Sequence, residues 1–148
     1  MEERFKTFTL LTTNIVRSIR KIKTGEMVDY DLKSQHVSCL YYVYKEKSLT
    51  AKEICELCDE DKANISRSIK FLEERGYVTY ESKRAKRYLT PVTLTDKGVE
   101  IAKYISDRID EVLLQSSLGI SEDELVSFYR CLAKINDSLQ RISDQYDR

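Results

Sequence analysis

Two groups of side chains in this sequence have chemistry to offer. The first lies in DKANISRSIKFLEERGYV, residues 61–78, where Asn64, Ser66, Arg67 and Lys70 bring an amide, a hydroxyl, a guanidinium and an ammonium within seven positions. Such groups hydrogen-bond base edges and phosphates. Shortly after it comes KRAKR, which clusters Lys83, Arg84, Lys86 and Arg87. The whole chain has a formal net charge of zero, yet residues 62–87 carry 8 basic and 3 acidic side chains, a balance of +5. Residues 1–61 carry 10 and 11, and residues 88–148 carry 7 and 11. A neutral total thus conceals one cationic segment, and cationic surfaces attract polyanions.

The second group is sulfur and imidazole: Cys39, Cys55, Cys58, Cys131 and the single His36. HVSC and CELC set His36 with Cys39, and Cys55 with Cys58, three residues apart, a gap found in some zinc sites. Cys39 and Cys55 belong to faces expected to be buried in different helices, so they read as small apolar core residues, with no metal. Cys58 closes a helix and is followed by Asp59, Glu60 and Asp61, surroundings that disfavour a thiolate. Cys131 is expected to pack between apolar positions. A cysteine-based redox or metal sensor stays open as an alternative function. An enzyme does not fit: there is one histidine, no glycine-rich phosphate loop, no nucleophile elbow and no paired catalytic carboxylates, and no cofactor is expected.

The elements that position these groups are mostly helical. Only 4 Gly and 1 Pro punctuate 148 residues. Phe5, Phe8, Leu11, Thr12, Ile15, Ile19 and Ile22 recur every three or four residues and predict a long first helix ending near Gly25. Val37, Leu40, Tyr41 and Tyr44 mark a second helix from Leu32 to about Lys45. Thr50 and Glu53 form a capping-box pattern that opens a short third helix, with Ile54, Cys55 and Leu57 facing inward. Asp61 is the expected N-cap of the fourth helix. At about 100° per residue, Ile65, Ile69 and Leu72 share one arc of that helix. Ala63, Ser66, Arg67 and Lys70 lie opposite, with Asn64 at the margin, and Gly76 stops it. Two short helices joined by a tight turn, the second with a polar, basic outer face, make a helix-turn-helix.

YVTYES and RYLTPVTL, rich in Tyr, Val and Thr, predict a hairpin with the basic cluster at its tip. Pro91 assigns the second strand to an edge. The arrangement is a winged helix. The fourth helix would enter a major groove while Lys83, Arg84, Lys86 and Arg87 hold the wing against phosphates. Alone, a basic helix face is a solvated surface and a charged hairpin tip is a guard against edge pairing; their succession favours DNA. A winged helix docking an acidic protein partner is the remaining alternative. After the wing, Val99, Ala102, Ile105, Ile109 and Val112 mark a fifth helix. Ser121 and Glu124 form a second capping box, after which Leu125, Phe128, Leu132, Ile135, Leu139 and Ile142 form a heptad-like seam.

The succession LTAKEICELCDEDKANISRSIKFLEERGYV, a basic hairpin, then VTLTDKG opening a long helix resembles the MarR family of bacterial transcription regulators over nearly the whole chain. The resemblance implies a mainly α fold: a winged helix-turn-helix with a small β-hairpin wing and long N- and C-terminal dimerisation helices. It further implies a homodimer reading a pseudo-palindromic operator, most often as a repressor. Leu32 and His36 fall where the family commonly has Leu and Gln. The wing departs from the pattern, because the family's Asp-Arg-Arg triplet reads Lys86, Arg87 and Tyr88 here. With the acid replaced by Lys86, the salt bridge that often braces the wing arginine is not expected, and the added cations should raise nonspecific phosphate attraction. Family members bind small aromatic or phenolic effectors in a crevice beside the DNA-binding lobe, which Arg17, Tyr30, His36 and Tyr41 would border here.

The expected organisation is one domain, 1–148, with the DNA-binding lobe at about 50–90 and dimerisation helices at about 1–25 and 96–146. Neither a signal-peptide core nor an apolar run of about 18 residues occurs, so a cytoplasmic protein without a membrane span is expected.

Overall fold

The computed structural model describes residues 2–58, 60–82 and 86–147. Its elements follow in the order α1 (Glu2–Glu26), α2 (Ser34–Glu46), α3 (Ala51–Cys58), α4 (Lys62–Glu74), β1 (Val78–Tyr80), β2 (Val92–Leu94), α5 (Asp96–Ser116) and α6 (Glu122–Ser143). The chain divides into two compact units, 1–108 and 109–148, with the boundary inside α5.

The first unit holds the core. Leu40, Val43, Ile54, Ile65, Ile69, Leu72, Val92, Ala102 and Ile105 are each no more than 1% exposed. Each large aliphatic side chain so buried contributes about 1.5–3 kcal/mol relative to an exposed one. Three of these, Ile65, Ile69 and Leu72, are the residues whose spacing predicts the inner arc of α4. On α3 the inward face differs from expectation. Ile54 and Ala51 are buried and Cys55 and Cys58 half-buried, while Leu57 is 45% exposed. Positions 51, 54, 55 and 58 follow the helical repeat of three and four, and Leu57 falls off that face.

Each cap in the helix-turn-helix is a local hydrogen-bond device. Thr50 and Glu53 make the predicted capping box, with the Thr50 amide donating to Glu53 Oε2 at 2.7 Å and the Glu53 amide to Thr50 Oγ1 at 3.2 Å. Asp61 caps α4, its Oδ1 accepting from the Asn64 amide at 2.7 Å. At the other end Gly76 has φ +75°, and the Gly76 and Tyr77 amides return to the carbonyls of Glu73 and Leu72 at 2.9 Å each. That is the Schellman closure, and the left-handed residue it needs is glycine. The chain thereby reverses directly into β1.

The wing pairs β1 with β2 antiparallel, Val78 opposite Leu94 and Tyr80 opposite Val92. It is shorter than the composition suggests. Arg87–Leu89 form a 3-10 turn instead of strand, with Thr90 Oγ1 donating to the Lys86 carbonyl at 3.0 Å and the Thr90 amide to that of Arg87 at 3.2 Å. Local turn bonds here override the β-preference of Tyr, Leu and Thr. The strand is also not a free edge: Val92 exchanges hydrogen bonds with Leu49, at 2.8 and 3.2 Å, on the side away from β1. Pro91 lies just before the ladder, where no amide is required of it.

The α1 stripe is open. Phe5, Leu11, Ile15, Ile19 and Ile22 are all at least 40% exposed. In the second unit, α6 begins with the predicted capping box, the Ser121 amide donating to Glu124 Oε2 at 2.8 Å. Its seam is likewise uncovered: Phe128, Ile135, Leu139 and Ile142 are exposed, and Cys131 is exposed as well, contrary to its expected packing. Among the described residues no helix is long and apolar enough to cross a membrane.

Candidate nucleic-acid interface

Anchored by its three core residues, α4 turns Ser66, Arg67 and Lys70 outward, all exposed. Asn64 is half-buried at the margin, and its Nδ2 donates to Glu60 Oε2 at 2.6 Å. Among the described residues Lys70 has only a loose i,i+4 partner, Glu74 at 3.9 Å, with both side chains well exposed. Such a pair contributes little and separates readily. Arg67 borders a surface cavity of about 340 Å³ together with Lys33, His36, Asn64 and Phe71. The outer face of α4 therefore presents a hydroxyl, a guanidinium and an ammonium, groups of the kind that hydrogen-bond base edges and phosphates.

The wing residues divide. Lys83 and Arg84 lie outside the described residues. Lys86 is exposed. Arg87 is braced, and by a residue the sequence does not reveal as its partner: its Nη1 lies 2.7 Å from Glu73 Oε2, and its guanidinium stands 4.9 Å from the Tyr80 ring. The expected loss of the bracing salt bridge is therefore corrected. The acid absent from the wing at position 86 is supplied by α4, so the hairpin base is tied to that helix. Glu73 is 14 residues from Arg87, and only the turn at Gly76 brings them together. Nearby, Lys62 stands 4.2 Å from the Tyr88 ring.

His36 is buried at the start of α2, stacked on Phe71 of α4 at 4.2 Å with the planes 6° apart. Its Nδ1 accepts the Lys33 amide at 3.1 Å, which closes the α2 N-terminus. Burial, with the nearby Lys33 ammonium, holds the imidazole below the ordinary histidine range, so it stays neutral and the acceptor persists. In this position the ring serves as a hydrogen-bond acceptor and a packing surface. Arg75 covers the other part of this stack, 4.6 Å from the Phe71 ring, and pairs with Asp31 at 2.7 Å.

Of the four residues expected to border an effector crevice, two line separate cavities. His36 lines the cavity beside Arg67, whereas Tyr30 lines another of about 270 Å³ with Tyr77, Lys97 and Tyr104. Arg17 is exposed on α1, and Tyr41 packs edge-on against Tyr42 at 5.4 Å with Lys45 over its ring; neither lines those two cavities.

With this geometry in place, comparison with known proteins is direct. Residues 30–87, from the approach to α2 through the wing, match the model of the MarR family. An uncharacterised HTH-type transcriptional regulator of Bacillus subtilis (strain 168), YwaE, is 26% identical over 133 residues, spanning 87% of this chain and 78% of the relative. Among solved structures, a MarR family transcriptional regulator from Listeria monocytogenes complexed with 26mer DNA superposes with a TM-score of 0.79 at 18% identity, over 86% of this chain and 85% of that one. Staphylococcus aureus MarR in complex with salicylate and kanamycin gives 0.80 at 19% identity, over 95% of each chain. At these identities the structural likeness speaks for the fold. Matched segment, relative and fold agree with the arrangement of α3, α4 and wing: residues 30–87 match the MarR family model, and the chain is similar in fold to winged helix-turn-helix transcription regulators of that family.

Proposed function

We propose that the protein is a cytoplasmic, sequence-specific DNA-binding regulator, a repressor by family likeness, that grips a pseudo-palindromic duplex as a homodimer. The observation that carries this reading is the division of α4 into a buried arc of Ile65, Ile69 and Leu72 and an opposite exposed face bearing Ser66, Arg67 and Lys70. Ser66, Arg67 and Lys70, with Asn64, approach base edges or adjacent phosphates; Lys83, Arg84, Lys86 and Arg87 hold the wing to the backbone. Dimerisation is supported by the apolar stripes of α1 and α6, which a second copy would cover. Twofold symmetry then spaces the two recognition helices about one DNA turn, roughly 34–36 Å, apart. A small aromatic or phenolic effector would act by withdrawing this surface from DNA, a reading supported by the cavity that Arg67 shares with His36 and Phe71.

Selection of bound duplexes from a random pool, followed by titration of a selected and a scrambled duplex across salt concentrations, tests the proposal. Enrichment of an inverted repeat is expected, with log K falling by about 0.9 per phosphate neutralised for each log of salt. Absence of enrichment together with salt-independent binding would refute it and favour a protein-docking winged helix. Compounds that release the selected duplex would identify the effector.

A further inference from the structure

The cationic segment 62–87 contains 3 acids: Glu73, Glu74 and Glu81. Glu81 is engaged at the end of β1, where its Oε1 accepts from Ser48 Oγ at 2.7 Å. The other two stand on α4. Glu73 follows Ser66 by two helical turns, so the two lie within about 20° of one line along the helix. A carboxylate in that line opposes phosphate with its own charge unless a cation covers it.

Arg87 covers it. Its Nη1 lies 2.7 Å from Glu73 Oε2, with 69% of the Arg87 side chain exposed against 32% of that of Glu73. The carboxylate is thus half screened beneath a guanidinium that still opens to solvent. Glu74 is placed differently, loosely set 3.9 Å from Lys70 on the same helix. The backbone that carries Arg87 is held independently of Glu73. Thr90 bonds the Lys86 and Arg87 carbonyls at 3.0 and 3.2 Å, and the Tyr88 ring has Lys62, at the opposite end of α4, 4.2 Å away. Neighbouring residues of one 3-10 turn therefore reach opposite ends of α4. Breaking the contact with Glu73 releases the Arg87 side chain and leaves the turn in place.

We propose that Glu73 is a specificity-determining positioning residue, which both cancels and aims the Arg87 guanidinium. The proposal rests on the DNA-binding reading above. In a nonspecific complex attraction is chiefly between charges, and the pair of Glu73 and Arg87 brings a net charge of zero to it. In a specific complex the register of α4 fixes where phosphates stand, and a guanidinium held in one direction can donate to the phosphate it faces. The carboxylate lowers affinity for every duplex, and lowers it most for the wrong ones. Discrimination is the result.

The test titrates the full-length parent, Glu73→Gln, Arg87→Ala and the double variant against a selected and a scrambled duplex at several salt concentrations. Near 0.1 M salt Glu73→Gln should bind the scrambled duplex about 3- to 8-fold more tightly, with a slope steeper by about one unit, because each further phosphate neutralised adds about 0.9 to the slope of log K. The selected duplex should gain much less, so the ratio of the two affinities falls. Most of the gain should vanish when Glu73→Gln is made in Arg87→Ala. Glu73→Asp, which keeps the charge and shortens its reach, should leave the scrambled duplex near the parent value and weaken the selected one. Tm should change little throughout, since an exposed pair contributes little to stability. Unchanged affinities in Glu73→Gln, or a gain of full size in the Arg87→Ala background, would overturn the proposal and leave the DNA-binding reading standing. A parent that binds neither duplex in a salt-dependent way would overturn both.

Discussion

Placing an alanine at Gly98 tests how the winged lobe is locked to the start of α5. The first turn of α5 closes on the entry to β1: the Thr95 amide donates to the Tyr77 carbonyl at 3.0 Å, and Thr95 Oγ1 to the Gly76 carbonyl at 2.5 Å. The Gly98 amide returns to Thr95 Oγ1 at 3.0 Å. A Cβ on Gly98 would stand 1.9 Å from the Tyr77 carbonyl oxygen, 2.9 Å from its carbon and 3.3 Å from Leu94 Cβ. Backbone, not a flexible side-chain end, is what it meets, so helix and strand must separate. Overpacking of this kind costs about 1–3 kcal/mol, and each Thr95 hydrogen bond lost adds about 1 kcal/mol. The gain of alanine over glycine in a helix returns about 0.5–1 kcal/mol. The net expectation is about 2–4 kcal/mol, which at about 2–4 °C per kcal/mol lowers Tm by roughly 5–15 °C. Gly25→Ala is the control, since its Cβ meets nothing within 4 Å; it should be neutral or stabilise by up to about 1 kcal/mol. Urea and thermal unfolding at one fixed protein concentration read both, because self-association makes stability concentration-dependent. Gly98→Ala melting within about a degree of the parent would refute the reasoning, since a shift that small corresponds to well under 1 kcal/mol in a chain of this size and leaves no room for such a clash.

Other perturbations reach the remaining parts of the account. Asp61→Ala removes the acceptor of the Asn64 amide and should cost about 0.5–2 kcal/mol in urea unfolding, while Asp61→Asn keeps a capping oxygen and should cost much less. Lys86→Ala should weaken selected and scrambled duplexes alike and reduce the salt slope by about one unit, in a filter or anisotropy titration; a change in sequence preference would contradict a phosphate role. His36, held below its ordinary range by burial, binds its proton more weakly folded than unfolded. Its contribution to stability is therefore present above the ordinary value of about 6.5 and drains away as pH falls from there toward the lower folded value. Imidazole titration by NMR checks this, and a folded pKa above the unfolded one would contradict it.

How much of this was legible in the sequence depends on the range of the interaction. Thr50 with Glu53, Asp61 with Asn64, Ser121 with Glu124, and the arc of Ile65, Ile69 and Leu72 are all set within one or two helical turns, and each stands as its spacing predicts. The length of β2 did not follow from composition, because turn bonds from Thr90 to Lys86 and Arg87 compete with the β-preference of RYL. Leu57 was misplaced because the short α3 offers too few positions to fix the angle of its buried face. Arg87 with Glu73 and His36 with Phe71 are made across turns or between helices. Residue types alone mark such groups as capable of pairing and leave the choice of partner to the packing.

The central claim rests on Arg67, exposed on the face of α4 opposite its buried anchors. Its most direct test is the Kd of the parent and of Arg67→Ala for a selected and a scrambled duplex at one salt concentration, with unchanged Tm confirming that both are folded. The account predicts a loss of about 1–3 kcal/mol, roughly 5- to 150-fold, on the selected duplex, a much smaller loss on the scrambled one, and relaxed sequence preference. Equal affinity of the two proteins for the selected duplex would contradict it.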